Sequence, residues 1–253
     1  MHNPIARPGF SGAVLLLLLL LQDHGMSHAA VRKTQDLDAA GIVLLLKGDY
    51  PGALEKFDAS LARDPKNARA LANRCTARYK LGDDDGALAD FDAAVLLKPG
   101  LKKELAGQAS DARYRRALKR AAAGDRAKAA ADLYAAVKLD RRNAAAYAKI
   151  GELALRDRDP GTALGYFDRA LKISKDFDPA LAGRAEALLA LGKAPSALAD
   201  ADAAILLRPS EPGYFALRGR IQRALGRPGQ AEKDERRASA LEQRRHILLN
   251  EVP

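Results

Sequence analysis

The chain has 253 residues, 48% hydrophobic and 29% charged, which is ample for a core and too charged for a multi-span membrane protein. Aromatics are only 5%, Trp is absent and there is one Cys. This excludes an intrachain disulfide and a cysteine-built metal centre, and favours Ala/Leu helices over an aromatic-rich β-sandwich or barrel. Lys and Arg number 42 against 32 Asp and Glu, a net charge of +10, so nucleic acids, anionic surfaces and acidic peptides are the partner classes raised.

Residues 1–29 have the pattern of an export signal. Arg7 supplies the positive start, Ala13–Leu21 is a short apolar run, and Ser27 and Ala29 put small residues before a cleavage point at Ala30. The run is well short of the about 20 residues that cross a bilayer; an uncleaved anchor in the inner membrane is the alternative. No Cys follows the run, which excludes a lipid-modified cysteine at the cut. Cleavage removes His2, His24 and His28 and leaves His246 alone, so a metal site built on several His is excluded. Export also means an oxidising compartment, where the single Cys75 is best buried. Residues 30–33 form a short segment between the signal and the main body of the chain.

From Thr34 onward the chain repeats itself. Ala53, Ala87, Ala129, Ala163, Ala197 and Ala231 are spaced by 34, 42, 34, 34 and 34 residues. The same ruler connects Phe57 to Phe91 and Pro65 to Pro99, and glycines 48, 82, 124, 192 and 226 each sit five residues before one of those alanines. Six units result: 34–67, 68–101, 110–143, 144–177, 178–211 and 212–245, with 246–253 as a tail. Each reads as two antiparallel helices. In the second unit these are Ala68–Leu81 and Gly86–Leu97, with apolar residues at helical spacing. Asp83, Asp84 and Asp85 follow Gly82 in the turn and can cap the next helix, while Pro99 ends it for want of a backbone N–H. A single pair of this kind cannot bury its apolar face; stacking makes the core continuous.

These residues resemble the tetratricopeptide repeat family, a 34-residue helix–turn–helix with small residues at its eighth, twentieth and twenty-seventh positions and Pro near its thirty-second. Gly41, Ala53, Ser60 and Pro65 fill those slots in the first repeat, and Cys75, Ala87, Ala94 and Pro99 in the second. Gly151, Ala163, Ala170 and Lys175 fill them in the fourth, and Ala185, Ala197, Ala204 and Pro209 in the fifth. Arg141 and Gln243 replace the Pro in repeats three and six, and Glu235 the usual aromatic. The resemblance implies an all-α, right-handed solenoid whose first helices line a concave groove. The polar residues 230–245 suit a solvent-facing cap at the end of the array.

Two features depart from the ruler. Residues 102–109 (KKELAGQA) contain no Pro and one Gly, so they are expected to lengthen the first helix of repeat three by roughly two turns. That would carry it past its neighbours at the rim, where a partner or a second copy could bind; a linker is the alternative. In the same helix, strict counting puts Arg113, Arg116 and Arg120 in packing slots. Burying three unpaired guanidiniums is costly, so a register shifted by one is preferred, with Tyr114, Ala117, Leu118 and Ala121 against the neighbours.

Charge is concentrated in repeats three and four: residues 110–177 carry +7, against −1 for 34–109 and +2 for 178–253. The family's groove positions give Arg69, Asn73, Tyr79, Lys80, Arg115, Lys149, Arg156, Arg220 and Arg223 as candidate binding residues, joined by Arg116 and Lys119 in the shifted register. Asp38, Asp111, Glu152 and Glu186 are the opposing carboxylates. An acidic or carboxylate-ended protein segment fits such a groove. Family members that clamp a chaperone's C-terminal carboxylate carry a set of Lys, Asn and Arg of which only Asn73 and Arg115 match here. Asp38, Ile42 and Asp111 do not match, and that reading is rejected.

Catalytic motifs are lacking: there is no Walker-type loop, no His-Glu-x-x-His and no Gly-x-Ser-x-Gly. The run Asp83–Gly86 has Leu81 and Asp92 where a calcium loop needs its first ligand and bidentate Glu, so it reads as a capped turn. Cys75 occupies a small packing slot and is expected to be an inert buried thiol. The expected function is a non-enzymatic, periplasmic or secreted adaptor that uses no cofactor and holds an envelope protein in its groove. The alternative is a basic module on an anionic polymer or membrane surface. Nucleic acid fits less well, because export removes it from reach and stacking aromatics are few.

Overall fold

A computed structural model describes residues 28–250. The expected signal segment lies outside the described residues apart from His28 and Ala29, which already belong to the first helix. Twelve helices and no strand occur among the described residues: α1 (His28–Lys47), α2 (Tyr50–Leu61), α3 (Ala68–Leu81), α4 (Asp84–Leu97), α5 (Leu101–Ala122), α6 (Arg126–Leu139), α7 (Ala144–Arg156), α8 (Pro160–Ile173), α9 (Asp178–Ala190), α10 (Ala194–Leu207), α11 (Pro212–Ala224) and α12 (Pro228–Asn250). They form six antiparallel pairs in chain order, an α-solenoid. Each pair also packs on the next, and most odd-numbered helices touch the following odd-numbered one, so α1, α3, α5, α7, α9 and α11 line one face.

Local chemistry explains the boundaries. Asp49, Asp83, Asp125 and Asp159 each accept a hydrogen bond from a backbone N–H three residues on, capping α2, α4, α6 and α8. Asn67 and Asn143 do the same for α3 and α7. The glycines at the turns, Gly48, Gly82, Gly124, Gly192 and Gly226, all have φ between 71° and 83°, where a side chain is strained. Repeat four puts Arg158 in that slot, with φ of 60°, the one non-glycine at positive φ among the described residues.

The core runs along the array rather than to a single centre. Buried alanines, Cys75 and Phe57, Phe91 and Phe167 occupy the expected small and aromatic slots. The Phe57 ring lies against Gly41, and the Phe167 ring fits between Gly151 and Gly183, where a Cβ on either glycine would collide with it.

A repeated ion clamp ties the pairs together. Arg74, Arg116, Arg184 and Arg218 occupy the seventh position of repeats two, three, five and six. Each donates two hydrogen bonds of 2.6–2.9 Å to an Asp 16 residues on: Asp90, Asp132, Asp200 and Asp234. Arg74, Arg184 and Arg218 also reach back 16 residues to Asp58, Asp168 and Asp202 of the preceding repeat, at 2.7–2.9 Å. The hydrogen-bonding carboxylates push these guanidinium pKa values further up, against the opposing effect of burial.

This clamp corrects the shifted register of repeat three. Ala117 is buried at the eighth position and Tyr114 packs against the same cluster, as expected, whereas Leu118 is 37% exposed and Ala121 is exposed. Arg116 and Arg120 hydrogen-bond to buried Asp132, and Arg113 approaches it at 3.9 Å. The guanidiniums are not unpaired, so the reason for shifting the register falls away. The 22-residue α5 includes residues 102–109, with Leu101 and Leu105 buried in the cluster around Phe91.

At the boundary of repeats three and four the clamp is replaced. The three positions hold Ile150, Tyr166 and Tyr134 instead of Arg, Asp and Asp. Ile150 is 1% exposed, and the two tyrosine rings meet edge to face at 6.4 Å. Three coordinated changes thus turn an ionic contact into an apolar one.

Candidate functional site

The face lined by the first helices of each pair carries most of the residues expected to bind a partner. Their electrostatics differ from the sequence expectation, because most of the cations already have carboxylates. Arg69 bonds Glu104 at 2.6 Å, Lys149 bonds Glu152 at 2.7 Å, Arg220 bonds Glu186 at 3.0 Å and Arg223 bonds Glu235 at 2.7 Å. Buried Asp84, at the start of α4, holds both Arg115 at 2.6 Å and Lys119 at 2.9 Å. Arg116 does not face the groove; it is spent on the clamp to Asp132 and on Asp85. Of nine expected cations, Lys80 and Arg156 make no ion pair among the described residues.

Tyr79 sits between these groups. The Arg115 guanidinium lies 4.4 Å from its ring centroid and Lys80 Nζ lies 5.9 Å from it. The Tyr79 hydroxyl donates to Asp111 at 3.1 Å; burial, and then the Asp111 charge, push the phenol's pKa up, which keeps its proton for that bond. Asn73 is half-buried, and its Nδ2 has no hydrogen-bond partner among the described residues. Most cations in the middle of the groove are therefore held by carboxylates from within, through charge-assisted bonds that fix the side chains, with Arg115 and Lys119 sharing the single charge of Asp84.

Two cavities follow one another along this face. The first, about 290 Å³, lies between α5 and α7 with Leu133 of α6 behind it. Ala117, Leu118, Ala121, Ala122 and Leu153 form apolar walls, and Lys149, Glu152 and Arg156 stand at its edge. The second, about 320 Å³, is more open and lies across α7, α9 and α11. Its lining includes Leu155, Tyr214 and Leu217 with Glu186 and Arg220, and Glu152 borders both cavities. Apolar recesses with a few polar groups at the edge are what a polypeptide segment needs for side-chain anchoring. Among the described residues no three His, Cys, Asp or Glu come together as a metal site requires.

Sequence reasoning missed the clamp and both cavities. The clamp had a readable signal, Arg and Asp 16 residues apart in four repeats. The first cavity had a fainter one, the replacement of Phe by Leu133 at the twenty-fourth position of repeat three.

A family model described as tetratricopeptide repeat matches residues 39–102 and 114–179. A curated relative, tetratricopeptide repeat protein 36 of Danio rerio, is 29% identical over 82 residues, covering 32% of this chain and 44% of that protein. Among solved structures, YrrB, described as a TPR protein with an unusual peptide-binding site, superposes with a TM-score of 0.56 at 18% identity, covering 77% of this chain and 96% of its own. Pseudomonas aeruginosa PilF superposes with a TM-score of 0.50 at 14% identity, covering 81% of this chain and 90% of its own. At these identities the solved structures speak to the fold.

Proposed function

The chain belongs to the tetratricopeptide repeat family, and from that membership we propose that it is a non-enzymatic scaffold that holds a partner polypeptide along its concave face, chiefly at repeats three to six. The observation that carries this is the pair of adjoining recesses, joined at Glu152 and walled by leucines and alanines from α5 to α11. The pre-paired cations beside them favour a specific segment over a polymer. Counterion release by a polyanion is strongest at free Lys and Arg, and seven of the nine expected cations are already paired with carboxylates. An acidic or carboxylate-ended segment finds its free cation at Arg156.

The export pattern of residues 1–29 supports a location in the periplasm or outside the cell, and with it an envelope protein as the partner. No helix among the described residues is long and apolar enough to cross a membrane. The mature amino terminus is expected near Ala30, and intact Met1 in protein purified from the envelope overturns cleavage.

Photocrosslinking in cells tests the groove. A photoreactive residue at Lys149 or Leu155 on the concave face is compared with one at Leu96 or Leu206, each 83% exposed on the second helices. A discrete product from the first pair alone supports the reading; the same products from both faces overturn it.

A further inference from the structure

The cleft between α5 and α7 lies where repeat three carries Leu133 in place of the Phe that repeats one, two and four have at the twenty-fourth position; repeats five and six have Ala201 and Glu235 there. Phe57 and Phe167 stand at the twenty-fourth position of their repeats and fill the space between a first helix and its successor. Phe57 shares a cluster with Ala77 of α3, and Phe167 touches Gly151 of α7 and Gly183 of α9. Phe91 shares a buried cluster with Ala109 and Ala112 of α5. Repeat three has Leu133 at this position. The helix in front of it offers Ala117, Leu118, Ala121 and Ala122, and a space of about 290 Å³ stays open to the groove.

Its edge is as specific as its floor. Arg156 lines the cleft, is exposed, and has no carboxylate within ion-pair distance among the described residues. Glu152, one turn earlier on α7, is occupied by Lys149 at 2.7 Å. An apolar recess beside an unmatched guanidinium complements a group that is apolar at one end and anionic at the other.

We propose that this cleft is the anchor point of the bound polypeptide: it takes a phenylalanine-sized side chain, and Arg156 takes a carboxylate on or next to that residue. The proposal rests on the concave-face reading and names its chemistry. The side chain supplies in trans the ring that the fold supplies in cis at Phe57, Phe91 and Phe167.

The test uses N-acetyl-L-phenylalanine as the minimal probe, with its C-terminal amide and N-acetyl-L-alanine as controls, read by NMR of the Leu118, Leu133 and Leu153 methyls. The acid is expected to shift these methyls saturably in the millimolar range, and the amide and alanine probes several-fold more weakly. Arg156→Gln should bring the acid down to the amide's affinity while leaving the amide unchanged. Leu133→Phe, which restores the ring from within, should abolish the shifts without lowering Tm, and Ala122→Leu, on an exposed position, should weaken them. No shift of these methyls by the acid, or equal shifts in Leu133→Phe, overturns the proposal. A peptide ending in a free phenylalanine and an amidated peptide with an internal Phe-Asp pair then tell a terminal carboxylate from a side-chain one.

The two readings fail differently. Loss of the Lys149 crosslink in Leu133→Phe supports the anchor. If that crosslink survives unchanged, the anchor is overturned and the groove stands. If wild-type protein gives no concave-face crosslink, the groove reading itself falls.

Discussion

Replacing Asp200 by Ala removes the carboxylate that receives two hydrogen bonds from Arg184, both 2.7 Å. Charge-assisted bonds are worth about 1.5–3 kcal/mol each. The lower end applies here, since the Arg184 side chain is 29% exposed and keeps Asp168 at 2.9 Å. The expected loss is about 2–3 kcal/mol. Arg184→Ala is worse, about 3 kcal/mol, because it leaves an Asp200 side chain only 11% exposed without its cation. The double variant should lose about 3–4 kcal/mol, a coupling of about 2 kcal/mol. Urea unfolding followed by circular dichroism measures the cycle, with matched m values as the check that all four proteins unfold comparably. Arg220 and Glu186 serve as the comparison: both are about half exposed, and their coupling should stay near 0.5 kcal/mol. A coupling below about 0.5 kcal/mol between Arg184 and Asp200 would refute the clamp as a stabilising device.

Three further outcomes are expected from the same geometry. Ile150→Arg puts a guanidinium where Tyr134 and Tyr166 offer no carboxylate and should cost about 3–5 kcal/mol. Adding Tyr134→Asp and Tyr166→Asp should recover much of that loss in thermal unfolding, whereas no recovery means the three positions do not act together. Arg158→Gly relieves the left-handed backbone at φ 60° and should stabilise by about 1 kcal/mol in the same assay; a loss would show that the Arg158 side chain contributes more than its strain. Burial pushes the Cys75 thiol up to about 12. Its thiolate fraction near neutral pH is then about a thousandfold below that of a free thiol, and iodoacetamide should label it only as the array unfolds.

Repeat length, turn glycines, caps and small-residue slots were legible because each is a local requirement stated anew every 34 residues. Exposed Leu118 and Ala121, expected to pack, show where local reasoning misled. The three arginines of α5 looked unpackable, and what makes them packable is Asp132 on the other helix of the same repeat, buried at 3% exposure. Charge summed over residues 110–177 misled in the same way, since Asp84 from repeat two is the partner of Arg115 and Lys119. The cleft at Leu133 depends on how α7 of repeat four sits against α5 and α6 of repeat three, a relation that no single repeat contains. Arg156 makes no ion pair among the described residues because its neighbour Glu152 is held by Lys149, a choice of partner set by the side-chain geometry of α7.

The most direct test of the scaffold is hydrogen exchange on the full chain with and without the partner recovered by crosslinking at Lys149. Binding along the concave face predicts added protection in α5, α7, α9 and α11, with α6, α8 and α10 unchanged. Protection confined to the second helices, or spread evenly over both sets, would contradict it.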